Sequence, residues 1–329
     1  MKIFKQSVCF IILIAATNTA IALPTAKATI KVLGETGQPI ESANVEVYFE
    51  LERGVSNKDV GLTDEQGIFV ASGSTIQNVG GCIVHKEGYY GSFCRGYSGT
   101  SVFTGISGLL GFRRWQPWNP TLTVVLKKIK NPIPLYKRVF GTENTDQPEH
   151  RLPKANEYVG FDLIESDWVA PYGRGVQSDF LFKIEKEDKS LFDYKDTLTL
   201  KFQNKGDGIQ SYYTPADNTS QLRMPYQAPK DDYKEKLEIK MIHVPGKIYK
   251  SLYRDDQNYF FRVRTELDEE GHVKSALYGK IEGNIKFLRG IILIPTAEIE
   301  FTYVINPVPN DTNLEMGSNL FGDRFIRKR

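Results

Sequence analysis

Apolar residues along this chain recur at every second position, and runs with the helical spacing of three and four are scarce. Val45, Val47, Phe49 and Leu51 alternate with Asn44, Glu46, Tyr48 and Glu50, the pattern of a strand that buries one face. Further strands are expected at 28–33, 59–63, 68–71, 81–86, 89–94 and 121–127. The second half repeats the pattern in Phe180-Leu181-Phe182-Lys183-Ile184, Thr197-Leu198-Thr199-Leu200-Lys201-Phe202 and Lys236-Leu237-Glu238-Ile239-Lys240-Met241. Its clearest unit runs over 259–280, where two extended stretches flank Asp268-Glu269-Glu270-Gly271 as a hairpin turn. A second hairpin is expected to turn near 287–290 and to end in a strand over 297–305. The expected fold class is all-β, two β-sandwich domains in tandem.

Turn residues punctuate these runs. Gly37 and Pro39 precede the second strand, and in Thr63-Asp64-Glu65-Gln66-Gly67 the aspartate can cap backbone amides while the glycine takes a positive φ. A long excursion over 96–120 interrupts the first domain and carries Gly105-Ile106-Ser107-Gly108-Leu109-Leu110-Gly111-Phe112-Arg113-Arg114-Trp115-Gln116-Pro117-Trp118. Three roles compete for it: a cover over the domain's own sheet, a contact with the second domain, or an exposed apolar and basic docking patch around Trp115 and Trp118. Alternating prolines in Asn131-Pro132-Ile133-Pro134-Leu135 end the first domain, because proline blocks both a helix and a central strand. The organisation expected is a leader at 1–22, a first sandwich at 23–131, a polar linker at 132–155 and a second β-rich domain at 156–329.

The leader changes the charge balance. Lys2 and Lys5 precede an apolar run at 8–16 and the small-residue site Ala20-Ile21-Ala22, the layout of a secretory signal peptide. Cys9 lies inside the apolar run, so a lipid-anchored cysteine is not indicated, and no later stretch is long and apolar enough to span a bilayer as a helix. Two of the 42 Lys and Arg belong to the leader, which leaves 40 basic against 40 acidic residues. A chain so balanced lacks the basic field that general nucleic-acid binding requires. Only Cys82 and Cys94 remain after cleavage. If the strands flanking Gly88 form a hairpin centred there, facing residues have numbers that sum to 176, as 82 and 94 do, and a cross-strand disulfide results; two buried reduced thiols are the alternative. A periplasmic or secreted location is the expectation.

The turns at Gly37-Gln38-Pro39 and Thr63-Asp64-Glu65-Gln66-Gly67, with Lys86-Glu87-Gly88-Tyr89-Tyr90 and the closing Leu122-Thr123-Val124-Val125-Leu126-Lys127-Lys128, resemble the carboxypeptidase regulatory-like domain, a transthyretin-like, Ig-type sandwich, over about residues 27–130. The segments Gly160-Phe161-Asp162-Leu163, Asp167-Trp168-Val169-Ala170-Pro171-Tyr172-Gly173, Phe261-Arg262-Val263-Arg264-Thr265 and Asn306-Pro307-Val308-Pro309-Asn310-Asp311 resemble uncharacterised secreted bacterial proteins that carry such a sandwich first. That resemblance implies a bacterial origin and brings no reaction or ligand with it. In carboxypeptidases the corresponding sandwich is an appendage to a catalytic domain, and no zinc-peptidase domain is visible here.

Motifs for chemistry are sparse. His85, His150, His243 and His272 lack metal-ligand spacing, and neither a Gly-x-Ser-x-Gly elbow nor a phosphate-binding glycine loop is present. No cofactor and no metal are indicated. The richest polar and aromatic cluster is Asp162, Glu165, Asp167, Trp168, Tyr172 and Arg174. It suits either a structured loop under the sandwich or, with Glu165 and Asp167 as paired carboxylates and the aromatics as a sugar platform, glycoside hydrolysis. Arg262, Arg264 and Glu266, facing Lys274 and Lys280, are expected to form a solvated charged face. Asp255, Asp256 and Asn258 lack the spacing of a calcium loop, and the tail Arg324, Arg327, Lys328 and Arg329 is a short basic end. The expected function is a non-catalytic binding, adaptor or structural role in the bacterial envelope, with an envelope protein or a glycan as partner. The alternative is a secreted hydrolase acting on glycans at the loop 162–174.

Overall fold

The computed structural model describes residues 23–52, 54–104, 112–141, 151–190, 192–216, 218–246, 252–289, 296–322 and 324. The expected signal peptide lies outside them. The described residues contain no helix, and the strands succeed one another in two groups. The first group is β1 (Thr25–Gly34), β2 (Asn44–Glu52), β3 (Val55–Leu62), β4 (Ile68–Ser74), β5 (Asn78–His85), β6 (Ser92–Ser98), β7 (Thr100–Thr104), β8 (Phe112–Gln116) and β9 (Thr121–Leu126). The second is β10 (Ile133–Phe140), β11 (Val159–Asp162), β12 (Asp167–Trp168), β13 (Phe180–Ser190), β14 (Asp193–Lys201), β15 (Gly208–Tyr213), β16 (Lys236–His243), β17 (Gln257–Leu267), β18 (Val273–Ile281), β19 (Lys286–Arg289), β20 (Ala297–Ile305) and β21 (Met316–Asn319).

In the first group a sheet of order β4-β1-β8-β7, with β9 also beside β1, packs on a sheet of order β3-β2-β5-β6. Alternation decides what lies between them: Val45, Val47 and Phe49 of β2 are fully buried, with Ile30, Val32, Val84, Val124 and Leu126 from the other strands. At the turn before β4 the Asp64 carboxylate accepts the N–H groups of Gln66 and Ile68 at 3.0 and 2.8 Å. Gly67 there has φ 73°, and a Cβ would meet Val32 O, so glycine is required. The β5–β6 ladder has the expected register, with Cys82 opposite Cys94, Ile83 opposite Phe93 and Val84 opposite Ser92. Cys82 and Cys94 form the disulfide, their Cα atoms 5.0 Å apart.

The stretch 96–120 departs from the expected loop. It folds back as the β7–β8 hairpin, and β8 meets β1 at Thr25 and Arg114, so the excursion extends a sheet of its own domain. The residues 105–111 between these strands are outside the description. The start of the linker expected at 132–155 is a strand instead, and residues 142–150 of it lie outside the description. Ile133–Phe140 is β10, paired antiparallel with β20 and parallel with β21, and Leu135, Phe140 and Leu152 are fully buried. Pro132 and Pro134 are compatible with this because the long antiparallel pairing begins only at Tyr136, beyond both prolines.

The second group builds a seven-stranded sheet of order β15-β17-β18-β20-β10-β21, with β19 beside β20, and a five-stranded sheet of order β12-β11-β13-β14-β16. Aromatic side chains fill the space between, among them Phe140, Phe161, Trp168, Phe180, Phe182, Phe261 and Phe301. Their rings meet mostly edge to face, as between Phe161 and Trp168 at 5.3 Å. The β17–β18 hairpin turns at Asp268–Gly271 as expected, closed by Asp268 N–H to His272 O at 2.9 Å. The other hairpin departs from expectation: Lys286–Arg289, where its turn was expected to begin, is a strand facing β20, and residues 290–295 lie outside the description.

One buried carboxylate ties the two groups together. Glu315, 1% exposed, accepts the N–H groups of Lys130 and Asn131 at 2.7 Å each and the Tyr90 hydroxyl at 3.0 Å. Tyr226 adds a second tie, donating to Glu35 at 2.9 Å and stacking under Lys130, whose Nζ is 3.7 Å from its ring centroid.

The disulfide closes a short loop, so its reduction is expected to lower unfolding stability by about 3 kcal/mol on the chain-entropy account. Urea unfolding of oxidised protein and of protein reduced and alkylated at Cys82 and Cys94 checks this. Identical midpoints would show that the bridge contributes nothing.

Candidate functional site

The loop that leaves β11 is organised by carboxylates aimed inward. Asp162, 2% exposed, collects main-chain donors from both sides of the loop. Its Oδ1 accepts the N–H groups of Ile164 and Glu165 at 2.9 and 3.0 Å, and its Oδ2 accepts those of Val176 and Gln177 at 3.0 Å each. Burial pushes this carboxyl up, but those N–H groups and the charge of Arg264 outweigh it and hold it below the usual carboxylate range. Arg264 crosses from the facing sheet to donate to Asp162 at 3.0 Å and, through a two-pronged contact of 2.8 and 2.9 Å, to Asp179.

This overturns the solvated face expected of 262–266. Arg264 has φ 55° at a break in the β17–β18 register between Val263 and Glu266, which redirects its side chain between the sheets. Arg262 donates to the carbonyl oxygens of Gly206 and Lys230 at 2.8 Å and lies over the Tyr233 ring. Lys280 is 2% exposed and pairs with Glu282 at 3.1 Å. Of that expected face, the exposed Lys274 and Glu266 still approach each other, at 3.9 Å.

Three more loop residues, Asp167, Trp168 and Tyr172, border a cleft of about 330 Å³ together with Arg151, Pro153 and Thr296. Asp167 is committed to the loop: Oδ1 accepts the N–H of Trp168 at 2.8 Å, and Oδ2 accepts both the N–H and the Nε of Arg174 at 3.1 Å. Trp168 is 3% exposed and packs edge-on against Phe140 and Phe182, so its face is not offered to a sugar. Tyr172 is half-exposed, and the Arg174 side chain is largely in solvent. Glu165 pairs with Arg324 at 3.2 Å, while Arg327, Lys328 and Arg329 lie outside the description. The loop thus gathers all six residues named from the sequence, and both of its aspartates hold main chain.

Trp115 and Trp118 separate in space. Trp115 is buried in the first core, whereas Trp118 is half-exposed beneath the Arg114 guanidinium, 4.7 Å from its ring centroid. Asp255, Asp256 and Asn258 do not converge: Asp256 pairs with Arg254 at 2.8 Å, and Asn258 is fully buried, donating to Thr214 and accepting from Gly283. Among the described residues the potential metal ligands that meet are Asp268, Glu270 and His272, within 4.8 Å at an exposed turn. The same Asp268 carboxylate already accepts the His272 N–H at 2.7 Å, which accounts for the grouping as turn geometry.

A concavity larger than this cleft has no counterpart among the sites expected from the sequence. A groove of about 870 Å³ runs between the two groups of strands, lined by Phe93, Cys94 and Arg95 of β6, by Thr121, Leu122 and Thr123 of β9, and by residues near 214–223 and 255–256. The second group closes one end of it: Phe93 N–H donates to Thr219 O at 3.1 Å, Gln221 N–H to Gly91 O at 2.9 Å, and Val125 N–H to Thr219 Oγ1 at 3.0 Å. Four distant stretches supply its walls, and no local spacing announces that they meet.

No family model matches the chain, and no curated protein matches it. Among solved structures, it is similar at 11% identity to a 3-chlorocatechol 1,2-dioxygenase from Rhodococcus opacus 1CP, over 33% of this chain and 61% of that one, with a TM-score of 0.25. It is similar at 10% identity to BcpA, the major pilin subunit of Bacillus cereus, over 84% and 95% of the two chains, with a TM-score of 0.23. A third, at 13% identity and a TM-score of 0.19, is a mutant of the shaft pilin SpaA from Lactobacillus rhamnosus GG, over 56% and 90%. Scores this low give no common arrangement from which to derive a function.

Two predictions arise from these buried charges. Arg264→Ala strands the carboxylates of Asp162 and Asp179 between the sheets and is expected to lower stability by about 3–5 kcal/mol, read by chemical denaturation; a loss under about 1 kcal/mol would show that water or rearrangement replaces the guanidinium. Asp207 accepts the Thr265 N–H at 2.8 Å while its Oδ2 is buried without a hydrogen-bond partner, and burial pushes its pKa up from 3.8 to about 6. The folded state therefore holds this proton more tightly than the unfolded state. Stability falls as pH rises from 3.8 through 6, and the penalty is full above 6, at about 3 kcal/mol. Asp207→Asn is expected to raise the unfolding midpoint at pH 8 and to leave it unchanged near pH 3.5. An equal shift at both pH values would contradict this.

Proposed function

We propose that this chain is a non-catalytic binding or structural protein of the bacterial envelope, exported and then held together by its Cys82–Cys94 bridge. The observation that carries the reading is the commitment of the loop carboxylates. Asp162 and Asp167 accept main-chain N–H groups on both oxygens, and the second also holds Arg174, so neither is placed as a poised acid or base. The disulfide supports export, since such bridges persist in oxidising compartments. No helix among the described residues is long and apolar enough to cross a membrane. The first sandwich is taken to be of the carboxypeptidase regulatory-like kind, acting as an appendage without a peptidase, with the second group of strands as its companion.

A glycan-hydrolase reading has one observation in its favour, the cleft beside Tyr172 and Asp167. Incubation of the mature protein with peptidoglycan fragments and with soluble β-linked oligosaccharides, analysed by mass, is expected to give no cleavage. Turnover that disappears in Asp167→Asn and in Glu165→Gln, with both variants folded, would replace the binding role by catalysis.

A further inference from the structure

The two sheets of the first sandwich end side by side in β6 and β9, and their outer edges are covered only in part. Residues 219–221 lie antiparallel to β6 through a bridge between Ser92 and Ser220, and the Thr219 hydroxyl reaches across to the Val125 N–H of β9. After that single bridge the segment leaves the edge, because Asn218 turns it back with its N–H on Pro215 O at 2.9 Å. The groove between the two groups begins where the segment departs.

Outward-facing N–H groups recur at every second residue of a strand. With those of Phe93 and Val125 directed into the covered end, the next outward donors are Arg95 on β6 and Thr123 on β9, and both residues line the groove. By this alternation their N–H groups point away from the ladders to β5 and β1, and no turn, loop or side-chain acceptor among the described residues takes either of them. Only another extended chain repeats donors and acceptors at the period these edges present, and residues 219–221 show that the edge accepts one. The Arg95 side chain is exposed and has no ion pair among the described residues, and it stands on the same outer face as the half-exposed Phe93. Arg223 lines the groove from the second group, where the Asp255 carbonyl oxygen and the neighbouring Asp256 carboxylate hold it, which leaves Arg95 as the guanidinium open to a partner's charge.

We propose that this groove binds an extended polypeptide segment of a partner protein, added antiparallel to β6 in line with residues 219–221 and carrying an acidic side chain opposite Arg95. The main chain of the segment takes the Arg95 N–H, while its side chains on the outer face meet Phe93 and Arg95 as cross-strand neighbours. Pairing of this kind tolerates many sequences through the backbone and selects through one charge. The inference rests on the binding role proposed for the chain and names the class of partner for it.

The probe is a fluorescein-labelled octapeptide of alternating Thr and Val with Asp at its centre, titrated against the mature protein beside a counterpart with Lys in place of Asp. The Asp peptide is expected to bind at least about fivefold more tightly than its counterpart, and to slow hydrogen exchange at the Arg95 amide. Arg95→Ala keeps the N–H and is expected to erase the preference for Asp. Arg95→Pro removes the outward donor without touching the ladder to β5, and is expected to abolish binding of both peptides in a protein that melts as the parent does. Absence of binding up to about 1 mM, unaltered exchange at Arg95, or unchanged binding by Arg95→Pro would overturn the proposal. A dimer that forms without peptide and is lost in Arg95→Pro would instead assign the edge to a second copy of the chain. Failure of the peptide without glycan turnover removes this inference and leaves the binding role standing.

Discussion

Arg264 is the point on which the second sandwich closes. It leaves β17 at a register break, enters the space between the sheets and meets two carboxylates from the opposite sheet, one at the end of β11 and one just before β13. Withdrawing three charges from water is expensive, and the expense is offset only because each oxygen also has a main-chain donor or a prong of the guanidinium. Once that set is satisfied, the loop from Asp162 to Gln177 has little freedom. Trp168 is delivered into the aromatic core, and Tyr172 and Arg174 are left facing outward.

The same economy joins the two groups of strands. Glu315 feels the charge of Lys280 at a distance, and its oxygens are satisfied by two successive N–H groups at the start of the crossing and by a tyrosine from the first sandwich. A carboxylate with three donors fixes direction as well as distance, so β10 starts where β21 can pair with it. This placement also brings residues 218–221 against β6. The groove beneath them is therefore a product of how the two groups meet, and the open edges of β6 and β9 are its polar walls.

Catalysis and binding make different demands on acids in such a framework. A catalytic carboxylate needs an oxygen free to trade protons with a substrate, whereas Asp162 and Asp167 have theirs engaged by the chain. A binding edge needs only unpaired main chain and a neighbouring charge, which Arg95 supplies. The first sandwich keeps that edge in place through the bridge between Cys82 and Cys94, which ties β6 to its inner neighbour.

Alternation was sufficient, from the sequence alone, to place β1, β2, β13, β14, β17, β18 and β20, because a strand with one buried face announces itself in consecutive residues. The disulfide was legible for the same local reason: a hairpin centred on Gly88 puts Cys82 opposite Cys94 without any knowledge of the rest. The acidic and aromatic loop could be found, but its meaning could not, since Arg264 lies about a hundred positions further on and its turn into the core depends on a bulge. Pro132 and Pro134 argued for a linker, and sheet partners at the other end of the chain made a strand that starts at Ile133, between them. Charge in a sequence carries no sign of whether it will face water. The tertiary structure decided that for Arg264, Lys280 and Glu315, because only the approach of distant strands removes the solvent and supplies the donors.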